Sequence, residues 1–256
     1  MVLIMEISLD LSKSLEKNAG DYFDKAKKLK KKLTGIKEII EKSEQKLLNI
    51  KLPEKKKNII KKKEWYEKFR WFISSDDFLV IGGRDATTND IIIKKYTEKF
   101  DIVFHTELPG SPFVVIKNPS EIEIPERTLI EAAEFCASYS KSWKSGRGSA
   151  EVFYVNPQQL TKEVPSGMAG LAKGAFMIYG KRNFMEAKLN IALCNLDNKI
   201  MAGPLSAIRK HSDKIVEIIP GNEKISDVAK KIQKIIGGDL DEIIRALPSE
   251  CTIKKH

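Results

Sequence analysis

At 256 residues and 42% hydrophobic content, the chain has room for one or two domains around an ordinary core. No apolar run approaches the roughly 20 residues that cross a bilayer. Met1–Met5 runs into Glu6 without a basic leader or a long apolar segment. Neither a membrane partner nor a signal peptide is expected, and the expected location is cytoplasmic. The net charge is +10, and residues 1–73 carry +9 of it. The basicity belongs to one end of the chain, which points to a phosphate-rich partner there and argues less for one elsewhere.

Cys136, Cys194 and Cys251 are an odd, widely spaced set with no paired ligand spacing and no close histidine. Reduced thiols are expected, buried at Cys136 and Cys194, with no metal and no cofactor.

From about Leu11 to Leu48, apolar residues at Leu29, Leu33, Ile36, Ile40 and Leu47 recur with a helical period, weakly interrupted at Thr34-Gly35. Asn49 to Pro53 reads as a turn, and a second helix is expected from Glu54 to Ser74, with Trp65, Phe69 and Phe72 on one face. The two would form a long antiparallel helical hairpin, a coiled-coil arm, with Lys55, Lys56, Lys57, Lys61, Lys62 and Lys63 near its tip. Such an arm can also pair two copies of the chain into a homodimer.

Beyond it, strand-like runs occur at 78–81, 102–105, 113–117, 151–155, 175–179, 188–194 and 215–219. Helical patterns lie at about 90–98 and 126–143, the second led by Pro125. After a Pro220-Gly221 turn come helices at 226–236 and 239–246. Strands and helices mix without strict alternation, so the expected class is α+β, a mixed sheet with packed helices. The expected parts are the arm (1–73), an α+β module (74–194) and a carboxyl-terminal extension (195–256).

The tip lysines suit phosphate neutralisation, although charged helices are often merely solvated. In Gly82-Gly83-Arg84-Asp85, Arg84 could meet a phosphate or base edge with Asp85 orienting it, or the pair could be a surface ion pair at a tight turn. No Gly-Lys-Ser/Thr sequence supports nucleotide hydrolysis. His105, with Glu107 nearby, could stack on a base or do acid–base work, but a lone histidine is more often structural. Lys117, Asn118, Lys181 and Arg182 are expected at element ends, facing an RNA surface. Tyr139 and Trp143 read better as core than as stacking platforms.

Several runs together resemble one family. They are Trp65 to Phe72 leading into Phe78 to Asp85, Asn89-Asp90-Ile91-Ile92, Asp101 to His105, Val114 to Asn118, Ile124 to Leu129, Ser138 to Trp143 and Gly174 to Phe184. In this order and spacing they are similar to the RNA-binding module of the NFACT family, factors that engage stalled ribosomal large subunits in ribosome-associated quality control. Ile7 to Asp10, Asn18-Ala19 and Tyr22-Phe23 resemble the start of that family's coiled-coil arm. The family's amino-terminal domain, which carries its residues for tail addition, has no counterpart in these residues. Where relatives often have a second histidine near the turn after His105, this chain has Pro109 and Pro112. The resemblance implies a non-enzymatic RNA-binding module contacting large-subunit rRNA, tRNA or both. The rival expectation is a protein-interaction scaffold whose arm recruits a ribosomal or quality-control partner. A third, a phosphate-processing enzyme, would require a preformed cleft around His105 and Arg84 with strongly perturbed titration.

Overall fold

The computed structural model describes residues 7–48, 64–164 and 170–254. The chain divides into two compact units, Met1–Lys62 and Lys63–His256. The first contains α1 (Leu15–Leu48), one helix of 34 residues and about 51 Å long at the standard rise. It runs through Gly35. The hydroxyls of Thr34 and Ser43 donate to the carbonyls of Lys30 and Ile39 at 3.0 and 2.8 Å, the back-bonding that accommodates such residues inside a helix. A polar clasp precedes it. The Asn18 side chain accepts from the Asp10 amide at 2.8 Å and donates to the Asp10 carbonyl at 2.9 Å, while the Tyr22 hydroxyl donates to the Ser8 carbonyl at 2.7 Å.

The expected turn at 49–53 and the return limb as far as Lys63, including all six tip lysines, lie outside the described residues. The end of the expected second helix is not helical. Residues 65–68 form turns, and β1 (Arg70–Ile73) is a strand. Trp71 and Phe72 are both buried, so this strand is covered on both faces and its aromatic run lacks the alternation that marks a half-exposed strand.

The elements then follow as β2 (Leu79–Gly82), α2 (Ala86–Ile91) with a π turn at Ile92–Tyr96, β3 (Ile102–His105), β4 (Val114–Ile116), α3 (Glu126–Ser138) and β5 (Ser149–Val155). After these come β6 (Leu160–Thr161), β7 (Met177–Ile178), β8 (Asn183–Lys188), β9 (Ile191–Leu196), β10 (Lys199–Gly203) and α4 (Leu205–His211). The chain continues through β11 (Ile215–Pro220), α5 (Ile225–Ile236), α6 (Leu240–Ala246) and β12 (Cys251–Ile253).

The fold is α+β, as expected. A six-stranded sheet runs β1-β2-β4-β3-β5-β8, a four-stranded sheet β10-β9-β11-β12, and β6 pairs with β7. Pairing is antiparallel in each ladder rather than mixed. The expected strand at 188–194 is in fact the end of β8 and the start of β9, separated by Leu189-Asn190. The expected helix at 126–143 ends at Ser138, and Tyr139 to Trp143 continue as turns.

One apolar cluster unites both sheets and the helices behind them. Ala132, Ala133, Phe135 and Cys136 of α3 are buried in it. β1 lies against β10 so closely that a Cβ on Gly203 would fall 2.8 Å from the Phe72 ring. The segment after β9 is thus part of the same core. Trp143 donates through Nε1 to the Glu250 carbonyl at 3.2 Å, and the Tyr139 hydroxyl donates to the Ala246 carbonyl. The three cysteines are free and buried. Burial pushes the Cys136 thiol far up and those of Cys194 and Cys251 up to about 11 and about 12.

Candidate nucleic-acid interface

Two of the expected contact residues face inward. Lys117, just past β4, donates to Asp101 at 2.5 Å, to the Tyr96 carbonyl at 2.7 Å and to Glu98 at 3.1 Å, and its side chain is only 10% exposed. Asn118 donates through its amide to Asp101 at 2.8 Å and brackets Ile122 through both ends of its side chain. The buried Asp101 carboxylate organises this corner, and the charge of Lys117 is satisfied within the fold. Both residues serve as framework in this structure.

Asp85 also has an internal task. It is the N-cap of α2, accepting from the Thr88 amide at 2.8 Å while the Thr88 hydroxyl accepts from the Asp85 amide. These hydrogen bonds, the Thr88 amide's first, hold its carboxyl below the usual range. The cap fixes the first turn of α2, and the next residues tie down two loops. Asn89 accepts from the Phe113 amide at 3.1 Å and donates to the Ser111 carbonyl at 3.3 Å. Asp90 accepts from the Gly174 amide at 3.1 Å and pairs with Lys94 and Lys162 at 2.6 and 2.8 Å. Those two lysines pull its carboxyl well below the usual range.

The loops held by Asn89 and Asp90 wall a cleft of about 340 Å³ lined by Arg70, Arg84, His105, Phe113, Tyr139, Phe176 and their neighbours. Arg84 and Arg70 stand side by side at its inner end. Each reaches across to the other's strand, Arg84 Nη2 donating to the Phe69 carbonyl at 2.9 Å and Arg70 Nη1 to the Gly83 carbonyl at 2.6 Å. The Arg70 guanidinium lies 4.4 Å from the Tyr139 ring centroid, a favourable cation–π placement. Nε of both arginines is buried without a hydrogen-bond partner. Burial, joined for Arg84 by the like charge of Arg70, lowers both pKa values. The two guanidiniums carry more N–H donors than the hydrogen bonds they make to described residues.

His105 lines the same cleft, its ring stacked on Phe113 at 4.3 Å. Burial lowers its pKa against the opposing pull of the Thr106 and Ser111 backbone and of Glu107. Arg182 is folded back beside it, paired with Glu107 and 5.1 Å over the Phe153 ring. Lys181 is exposed, with its carbonyl held by Gln159 at 2.9 Å. The fold therefore brings Arg84 and His105 into one cleft and puts Arg182 near its His105 end. Lys117 and Asn118 lie elsewhere, and the tip lysines are outside the described residues. Among the described residues no cluster of histidine, cysteine or acidic side chains could hold a metal, and no helix is long and apolar enough to cross a membrane.

Residues 68–180 match the family model described as the NFACT protein RNA binding domain. The archaeal Rqc2 homolog aRqcH of Methanocaldococcus jannaschii is 41% identical over 209 residues, covering 78% of this chain and 31% of that protein. The chain belongs to the NFACT family. The ribosome quality control complex subunit NEMF homolog of Drosophila melanogaster is 36% identical over 226 residues, covering 86% of this chain and 22% of its own. The chain thus spans about a third or less of these relatives' length. The solved carboxyl-terminal part of the Streptococcus suis fibronectin/fibrinogen-binding protein aligns at 18% identity with a TM-score of 0.40 over 68% of this chain and 75% of that one. That likeness is too loose to build on.

Within this NFACT RNA-binding domain, the functional candidate that sequence reading passed over is Arg70. It sits in an aromatic run that looked helical, and only its strand pairing, Arg70 opposite Gly82, puts it beside Arg84. Lys199 and Arg245, which line the far side of the arginines, carried no local signal at all. Asp85-x-x-Thr88 did carry one, since a capping acid three residues before a hydroxyl is a helix-start signature.

Proposed function

We propose that this chain is the RNA-binding module and arm of a ribosome-associated quality-control factor. In this reading it contacts large-subunit rRNA, tRNA or both, without catalysing a reaction itself. Its proposed parts are a basic arm, the module and the carboxyl-terminal segment (195–256), with the arm ending before β1 rather than at residue 73, since Arg70–Ile73 belong to the module's sheet. The observation that carries the reading is the cleft of an RNA-binding domain holding two half-buried arginines with unused donors next to aromatic walls. That pairing of cation and flat apolar surface suits unpaired RNA, whose phosphates and bases are both accessible. Arg84, Lys181 and Arg182, with the lysines at 55–57 and 61–63, are the proposed contacts on this chain, and His105 is proposed as part of the base-facing wall.

A phosphate-processing site needs a preformed cleft with strongly perturbed titration; the cleft around His105 and Arg84 is present, and its candidate reacting groups are engaged elsewhere. Ser111 Oγ donates to the Leu108 carbonyl at 2.9 Å and is bonded to the Thr106 hydroxyl. Asp85 is occupied as a helix cap. Neither forms a nucleophile–base pair with the histidine, which favours binding over catalysis.

Cosedimentation of the full chain with purified large ribosomal subunits across a salt series tests the proposal. Affinity that falls steeply with salt and is weakened both by changing the six tip lysines to Glu and by Arg84→Gln supports it. A complex that persists at high salt and ignores both changes would support the scaffold reading, in which the arm recruits a protein or a second copy. The exposed Leu29, Leu33, Ile36 and Ile40 of α1 favour that alternative.

A further inference from the structure

The seam between β1 and the carboxyl-terminal sheet holds a small pocket of about 50 Å³. Arg70 and Arg84 line it together with Lys199 of β10 and Arg245 of α6. Lys199 is committed, paired with Glu67 at 2.6 Å. The three arginines are not. Among the described residues, none of Arg70, Arg84 and Arg245 takes part in an ion pair. They are nevertheless close enough that the charge of Arg245 acts on Arg84, offset only in part by the nearby Asp85 carboxylate that caps α2. Three like charges gathered on a seam cost stability unless an anion joins them. Two acids also line the pocket, Glu67, which is paired with Lys199, and Glu242, one turn before Arg245, so a ligand has to face both.

The positioning is built in. Tyr139 carries the Arg70 guanidinium on its ring and gives its hydroxyl to the carbonyl of Ala246, the residue after Arg245. One side chain therefore ties the arginine pair to the end of α6. Fixed planar guanidinium forks match the oxygens of a phosphate and lose little freedom on binding one.

We propose that residues 195–256 complete a phosphate seat, with Arg70 and Arg84 as its floor and Arg245 as its closing cation, and that its ligand is a phosphate group of RNA. The RNA half rests on the function proposed above, whereas the phosphate half stands apart from it.

Two measurements on the full chain test this. In the first, thermal unfolding is followed in sodium phosphate and in sodium chloride at matched ionic strength. Phosphate should raise the midpoint of the wild-type chain by about 2 °C or more and leave the exposed-site variant Arg245→Glu unmoved. In the second, fluorescence anisotropy is read with a single-stranded RNA of roughly 12 nucleotides. Arg245→Glu should weaken binding about tenfold, and Arg84→Lys, which keeps the charge but loses the fork, about threefold. RNAs with a 5′-phosphate and a 5′-hydroxyl separate the two sources. Equal affinity assigns the seat to an internal diester, and preference for the phosphorylated end assigns it to a terminal monoester. A phosphate shift that depends on Arg245 without any RNA binding keeps the seat and removes the RNA reading. RNA binding that survives both arginine changes, with phosphate shifting wild type and Arg245→Glu alike, overturns the seat and leaves the RNA reading intact.

Discussion

At one end of the β2–β4 ladder, Lys117 is surrounded by Asp101, Glu98 and a backbone carbonyl. At the other, Arg70 and Arg84 share a cleft in which they donate to two backbone carbonyls and, among the described residues, form no ion pair, with only the charge of the helix-capping Asp85 acting on them from nearby. All three cations stand at or near strand ends, and from sequence they look equally ready to meet a phosphate. What separates them is where the compensating charge comes from. Burying a charge is tolerated when the fold supplies the counter-ion, as Asp101 does for Lys117. A buried charge without one is a site that something outside the fold can complete.

The largest effect is expected from attacking the satisfied end. Asp101→Ala would strip an acceptor at once from Lys117 Nζ, the Asn118 amide and the Glu98 amide, now at 2.5, 2.8 and 2.7 Å. A loss of about 3 kcal/mol is expected in urea unfolding, because a buried cation loses its buried carboxylate partner and keeps only the exposed Glu98. RNA affinity of the folded fraction should not change. A fall in affinity would mean that the Lys117 corner also meets RNA, and the contrast between the two ends would break.

Next comes the loop that walls the cleft. Gly174 has φ +78°, and a Cβ there would lie 2.7 Å from the Ala86 backbone at the start of α2. Gly174→Ala should therefore cost about 2 kcal/mol, from strain and a backbone displacement together. RNA binding should weaken with it, because the loop is one wall of the cleft. In the same cleft, Arg84→Gln removes a desolvated charge that forms no ion pair among the described residues and has only the capping Asp85 charge near it. Stability should move by less than about 0.5 kcal/mol, while RNA affinity should drop about tenfold and the logarithmic salt slope should flatten by about 0.7 for single-stranded RNA. Unfolding and anisotropy on the same preparation check both halves.

Much of this framework was legible in the sequence, and the limits have physical causes. α1, β3, β4 and α5 announce themselves by strong periods or bounded β-branched runs. β1 does not, because Trp71 and Phe72 are buried on opposite faces and adjacent aromatics fit a helix as well as a doubly covered strand. β9 showed in part, within the expected strand at 188–194, whereas β10 packs on the core through Met201 and Ala202, where small and flexible residues replace the alternation that would have marked it. For the site, Arg84 was readable from its glycine turn. Arg70 needed the β1 register, and Arg245 needed the whole carboxyl-terminal fold. The inward turn of Lys117 could have been suspected only from Asp101, 16 residues earlier, since an element end fixes where a side chain starts and not where it points.

The smallest expected effect sharpens the comparison from the acidic side. Glu134 on α3 is partly buried next to Glu131, with Lys188 its opposing charge, and its pKa is pushed up from 4.5 to about 7, first by burial and then by the Glu131 charge. Glu131 is itself occupied, accepting from Ser75 and Ser206, the latter at 2.8 Å. Below pH 4.5 Glu134 is protonated in both the folded and unfolded chain, so its burial carries no charge penalty. Between 4.5 and about 7 the folded chain holds the extra proton, so stability falls as pH rises through that window and stays lower above it. The half-open site screens the effect to about 1 kcal/mol. Glu134→Gln should remove that slope and leave the chain about 1 kcal/mol more stable at pH 8 in urea unfolding, with no gain at pH 4. An unchanged slope would show that Lys188 already compensates Glu134 as fully as Asp101 compensates Lys117. The arginine pair would then be the only buried charge in this comparison left waiting for a partner.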